Sequence, residues 1–146
     1  MEKLDSIIFY NIDKAIRTYR NYAQRQLKAN GFNITIDQWL IIKAILENPG
    51  ITQNEIGDLA FKDNASVTRI IELLVKSEYI IRNINSDDRR KTNLDVTESG
   101  KEIIKKVQEL IENNRKTALK DVTKEELEIM NSALLKISKN CLNAKK

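Results

Sequence analysis

A six-residue phrase recurs three times along the chain: ITIDQW at 34–39, ITQNEI at 51–56 and VTKEEL at 122–127. In each, the threonine can cap a helix by accepting a hydrogen bond from the amide three residues on. The Gln or Glu at that third position can reach back to the cap's own amide. The apolar residues just before the threonine and four after it are spaced to close as a hydrophobic staple. One such phrase arises easily by chance. Three of them, each opening a stretch with helical apolar periodicity, predict three helix starts in a mainly α chain.

Periodicity and stop signals supply the remaining elements. A first helix is expected over about 4–29, where Leu4, Ile8, Ile12, Ile16, Tyr19, Ala23 and Leu27 recur at helical spacing and Asn30-Gly31 ends the run. The helix after Thr35 runs to about Glu47 and stops at Pro49-Gly50. Its stretch WLIIKAIL is apolar on most sides, which marks a central buried helix. A short third helix follows Thr52 to about Ala60. A fourth opens near Asp63, a good cap, and turns Val67, Ile70, Ile71 and Leu74 inward. Strands are expected near 79–83 and 92–96, where Leu94 and Val96 alternate with polar neighbours. After Thr97 the chain reads helical to about Lys120. Gly100 stands there where the recurrent phrase has Gln or Glu, and close approach of this helix to the preceding lobe is its expected use. The last helix places Leu127, Met130, Leu134, Ile137 and Cys141 three and four residues apart, the spacing of a coiled-coil seam. At such a position Cys141 reads as a small buried apolar residue rather than a redox sensor.

Composition removes most catalytic chemistries. The 146 residues contain no histidine and one cysteine, so Ser-His and Cys-His catalysis, His-dependent zinc sites and thiolate clusters are excluded. Among four glycines there is no P-loop and no GxGxxG. No enzymatic activity and no cofactor are expected. Lys and Arg number 25 against 21 Asp and Glu, a mildly basic balance compatible with nucleic acid. No apolar run of about 18 residues predicts a membrane span. The charged N-terminus does not read as a secretory signal, and a lone cysteine suits a reducing compartment, so a cytoplasmic location is expected.

A short helix, a break, a second helix and a two-stranded ribbon make a winged helix-turn-helix, a shape suited to duplex DNA. The fourth helix leaves Asn64, Ala65, Ser66, Thr68, Arg69, Glu72 and Lys76 facing outward. Arg69 has the fork geometry that reads guanine or clamps phosphate, although a pair with Asp63 or Glu72 along its own helix is the plainer reading. The hairpin stretch NINSDDRRKTNLDVTESG carries two aspartates, two arginines and a lysine at its tip. Such a tip is either a solvated loop or a grip on something polyanionic.

From Asp37 to Ile104 the chain resembles the MarR family of bacterial transcription regulators. SVTRIIELLVKSEYI resembles that family's recognition helix running into the first wing strand, and DDRRKTNLDVTESG its wing, second strand and turn into the next helix. The resemblance implies one MarR-like domain over 1–146. Within it, a winged helix-turn-helix lobe spans 35–97, with a small two- to three-stranded antiparallel wing, and a helical dimerisation region spans 1–30 and 98–146. It further implies a homodimer on an inverted-repeat operator in double-stranded DNA, acting as a repressor released by a small-molecule effector or by oxidation. Asp63 would open and Lys76 close the recognition helix in the major groove, with Asn64, Ala65, Ser66, Thr68 and Arg69 at the DNA. A wing from about Ile84 to Lys91 would lie at the minor groove. There Asp88 braces the loop, one of Arg89 and Arg90 enters the groove, with the motif spacing favouring Arg90, and Arg89 or Lys91 touches phosphate. Ile8, Ile12, Leu127, Met130, Leu134 and Ile137 would form the dimer contact. Helices one, five and six carry more apolar surface than so small a lobe can cover, which agrees with a second chain. The other reading open to a winged helix is a protein-interaction module without specific DNA binding.

Overall fold

The computed structural model describes residues 1–84 and 92–144. A single 3-10 turn, Leu4–Ser6, precedes α1 (Ile8–Ala29), α2 (Ile36–Glu47), α3 (Gln53–Ala60) and α4 (Asn64–Lys76). The antiparallel pair β1 (Ile80–Ile84) and β2 (Thr92–Val96) follows, then α5 (Glu98–Ala118) and α6 (Lys124–Asn143).

All three recurrent phrases form reciprocal capping boxes. Thr35 Oγ1 accepts from the Gln38 amide at 3.0 Å while Gln38 Oε1 accepts from the Thr35 amide at 3.0 Å. Thr52 with Glu55 and Thr123 with Glu126 repeat the arrangement. Each box satisfies two amides that the first turn of a helix leaves open, and the cap side chain contributes about 1 kcal/mol. The C-terminal stops are equally local. After α1, the Phe32 amide donates to the Leu27 carbonyl and the Gly31 amide to that of Lys28, with Gly31 at φ 80°. This pair of bonds closes the helix and turns Phe32 back toward the core.

The first helix starts later than its apolar spacing predicts. Ser6 Oγ donates to the Lys3 carbonyl at 2.7 Å and Asn11 Nδ2 donates to that of Asp5 at 3.0 Å. These side-chain bonds satisfy the backbone outside a helix, and Ile7 stays extended at φ −83°, ψ 116°. Leu4 therefore belongs to the 3-10 turn rather than to α1.

Two units are distinguishable along the chain, Met1–Asn114 and Arg115–Lys146. In the first, one apolar core joins Leu27 of α1, Ile41, Ile42 and Ile45 of α2, Ile56 of α3, Val67, Ile71 and Leu74 of α4, Ile80 and Leu94 of the strands, and Ile104 and Val107 of α5. Ile41, Ile42, Ile56, Val67, Ile71, Leu74, Ile80 and Val107 are completely buried, and α2 lies at the centre, as its apolar circumference predicts. The strands pair with Ile80 opposite Val96 and Ile84 opposite Thr92, two strands among the described residues. The second unit holds the end of α5, a turn with Asp121 at φ 65°, and α6, in which no residue is buried.

Candidate nucleic-acid interface

α3 and α4 meet through the turn Phe61-Lys62-Asp63. Phe61 takes the left-handed conformation at φ 57°, and the Lys62 amide donates back to the Gly57 carbonyl at 2.9 Å, which reverses the chain in three residues. A side chain on residue 57 would collide with the Lys62 carbonyl oxygen, so the glycine permits the tight return. Asp63 then caps α4: its Oδ1 accepts from the Ser66 amide at 2.7 Å. That bond, with help from the Ser66 hydroxyl and the charge of Arg69, holds the Asp63 carboxyl below the ordinary aspartate range.

The start of α4 is tied to two other helices by charge. Asp37, in the first turn of α2, receives Lys62 Nζ at 3.0 Å on one carboxylate oxygen and Arg20 of α1 at 3.3 Å on the other. Beside it, Gln24 Oε1 accepts from the Ile36 amide at 3.0 Å. Lys62 is thereby turned back toward α2.

Of the residues expected at DNA, Asn64, Ala65 and Arg69 are exposed, while Ser66 and Thr68 are half-buried. Arg69 makes no ion pair with Asp63 or Glu72 among the described residues. Its guanidinium thus stands on the outer face of α4, near enough to Asp63 to act on its charge but in ion-pair contact with no carboxylate among the described residues. Thr68 is differently placed. Its hydroxyl donates to the Asn64 carbonyl at 2.8 Å and accepts from Gln53 Nε2 at 2.6 Å. With its one proton committed, Thr68 has none to offer a base or phosphate acceptor. Gln53, the first residue of α3, was not legible as part of this surface. The two residues stand 15 apart, and no local pattern relates them.

At the root of the wing, Asn83 Nδ2 donates to Asp95 across the strands, and Ile84 is exposed. Asp88, Arg89, Arg90 and Lys91 lie outside the described residues. The wing is anchored to α5 by Thr97, whose hydroxyl donates to the Glu78 carbonyl at 2.6 Å and accepts from the Gly100 amide at 3.0 Å. A Cβ at position 100 would overlap the Tyr79 carbonyl oxygen, so the expected close approach of α5 to the lobe is what this glycine serves.

Of the residues expected at a dimer contact, Ile8, Met130 and Leu134 are exposed in the single chain, and Ile12, Leu127 and Ile137 are half-buried. Cys141, expected to be buried in the α6 seam, is exposed, and α6 holds no buried residue. A cavity of about 270 Å³ lies between α2 and α3, lined by Trp39, Leu40, Lys43, Ala44, Glu47 and Leu59 among others. Lys43 and Glu47 pair at 3.1 Å, and the buried indole N–H of Trp39 has no hydrogen-bond partner among the described residues. No group of three potential metal ligands occurs among the described residues, and no helix among them is long and apolar enough to cross a membrane.

The MarR family model matches residues 34–92, from the staple of α2 to the start of β2. The HTH-type transcriptional regulator SarZ of Staphylococcus aureus (strain USA300) is 22% identical over 102 residues, 70% of this chain and 65% of SarZ. The chain thus matches just under two thirds of the length of that curated relative. A MarR protein from Peptoclostridium difficile DA00132 shares the fold at a TM-score of 0.82, with 26% identity over 98% of this chain and 92% of that one. The S. aureus MepR-DNA complex contains a chain of the same fold, at a TM-score of 0.79 and 19% identity over 94% of this chain and 98% of that one. The MarR family model thus falls on the helix-turn-helix and its first wing strand, within a fold that a MarR protein shares along nearly the whole chain.

Proposed function

We propose that the protein is a homodimeric, sequence-specific DNA-binding regulator of transcription, acting as a repressor that a small-molecule effector releases from an inverted-repeat operator. The single observation that carries this reading is the outer face of α4. Its first turn is small and exposed at Asn64 and Ala65, and Arg69 makes no ion pair among the described residues. A helix of that kind fits the major groove, where an unpaired guanidinium can bind guanine O6 and N7 or a phosphate. MepR, of the same fold, has been solved with DNA, and SarZ bears the name of a transcriptional regulator.

In this reading Asn64, Ala65, Ser66 and Arg69 line the DNA. The wing of about 84–91 reaches the minor groove through Arg89 or Arg90, with Asp88 as brace and Lys91 at phosphate. The lobe of 35–97 is the DNA-binding part of the single 1–146 domain, and 1–30 with 98–146 forms the dimer. Ile8, Ile12, Leu127, Met130, Leu134 and Ile137 meet their counterparts in the second chain. The protein works in the cytoplasm, without a cofactor, and is not an enzyme.

The test is a gel-shift titration on the promoter region beside the protein's own gene, with excess unrelated competitor DNA. Saturable binding that survives the competitor is expected. Binding no stronger than to the competitor would overturn the regulator and leave the protein-interaction module.

A further inference from the structure

The residues expected at DNA include Thr68 and omit Gln53, yet the two share a hydrogen bond. We propose that Gln53 contacts a DNA phosphate through its side-chain amide and that Thr68 is the positioning residue that aims it. The inference rests on the DNA-binding reading above. In a helix-turn-helix the first helix crosses the sugar-phosphate backbone while the second enters the groove. Gln53 is the first residue of α3, half-buried, and its Nε2 donates to Thr68 Oγ1 on α4 at 2.6 Å. A carboxamide has two N–H donors and a carbonyl oxygen. One N–H is used on Thr68, and the other has no acceptor among the described residues. Gln is among the side chains that donate to phosphate oxygens, where they set register rather than read bases.

Thr68 is suited to aiming and not to gripping. Its proton goes to the Asn64 carbonyl at 2.8 Å, which turns a lone pair toward Gln53. One hydrogen bond thus links the backbone contact of α3 to the base-facing turns of α4. A displacement of either helix along the duplex would carry the other with it.

The variants Gln53→Ala, Gln53→Glu, Thr68→Val and Thr68→Ser, with the Gln53→Ala/Thr68→Val double, are titrated with the promoter fragment and with unrelated DNA, and their melting temperatures are measured. Gln53→Ala is expected to weaken both DNAs about three- to tenfold per subunit, the loss of one neutral hydrogen bond. The salt dependence should stay unchanged, because no cation is removed. Thr68→Val should lose a similar factor, Thr68→Ser should restore it, and the double variant should lose no more than Gln53→Ala alone. Gln53→Glu separates contact from scaffold. A carboxylate in the first turn of α3 favours the helix, so the melting temperature should hold or rise while DNA affinity falls further than with Ala. A purely structural brace would instead make affinity follow melting temperature across the series, and that outcome overturns the proposal. So does full affinity in Gln53→Ala while wild type binds its promoter, which leaves the regulator reading standing. A wild type that binds no DNA specifically would remove both.

Discussion

In α2, Ile41 and Ile42 are wholly buried; in α6, Ile129 is 70%, Leu135 64% and Leu134 37% exposed. Both helices begin with the same capping box and carry apolar residues in comparable number, yet only one finds a core. α2 is apolar around most of its circumference and is enclosed by neighbours from α1, α3, α4 and β2. α6 has a seam with charged residues on either side, and a seam of that width requires one facing helix rather than a surrounding layer. The lobe thus completes a core within one chain, whereas α6 leaves its apolar seam exposed. Exposed apolar residues in that concentration mark an interaction surface.

The largest effects should come from placing damage in one region and looking for it in the other. Leu134→Lys would set a charge into the α6 seam and cost roughly 3–5 kcal/mol of association per chain, leaving lobe packing intact. Light scattering should give a monomer at micromolar concentration with unchanged helical circular dichroism; a wild type that is itself monomeric there would defeat the dimer. Ile71→Ala removes a fully buried side chain and should cost about 2–5 kcal/mol of folding stability. Chemical denaturation should register that loss in the lobe itself.

Next in size is the DNA surface. Replacing Arg89 and Arg90 together by Ala should weaken specific and non-specific DNA alike. The slope of log affinity against log salt should flatten by up to about one unit per lost phosphate contact. Arg69→Ala should cost roughly 1–3 kcal/mol on the cognate site and spare non-specific binding more. Asp88→Ala removes a negative charge, so tighter binding would refute its bracing role, and weaker binding is expected.

Smaller still are the caps. Thr52→Ala and Thr123→Ala each open a box and should cost about 1 kcal/mol. The first loss should appear in lobe unfolding and DNA affinity, the second in dimer dissociation on dilution. If both appeared in the same transition, the two regions would not be separable as described.

The smallest effect is in pH. The Asp63 carboxyl is depressed by the Ser66 amide bond, and that of Glu126 by the Thr123 amide bond. A depressed folded value means stability that is fully present above the unfolded pKa and is lost as pH falls through the folded one. Both caps should therefore hold through neutral pH and loosen only below the ordinary carboxylate range. Carboxyl-carbon NMR titration should show both midpoints displaced downward, and a midpoint at the ordinary value would contradict the cap geometry.

Most of the lobe was legible because its instructions are local. A threonine and a glutamate three residues apart meet inside one helical turn, and an apolar helix circumference has no stable place but the interior. The later start of α1 was missed because Ser6 and Asn11 compete for backbone groups that periodicity alone assigns to a helix. At the candidate interface, the outward face of α4 followed from its period, and Arg69 with it. Whether Arg69 was paired could not follow, since the separation of two flexible side chains is set by packing and rotamer rather than by spacing.

By itself, then, the order of residues determined where the helices begin, which of them is central, and that a helix-turn-helix with a charged ribbon stands between amphipathic ends. Each of these depends on contacts within a few residues or on a periodic apolar face. Only the tertiary structure decided that Gln53 meets Thr68, that Lys62 is drawn with Arg20 onto Asp37, and that Gly100 lies against the Tyr79 carbonyl. These partners stand 15 to 25 residues apart. A hydrogen bond or ion pair reaches about 3 Å, so such groups meet only after the core has placed their helices.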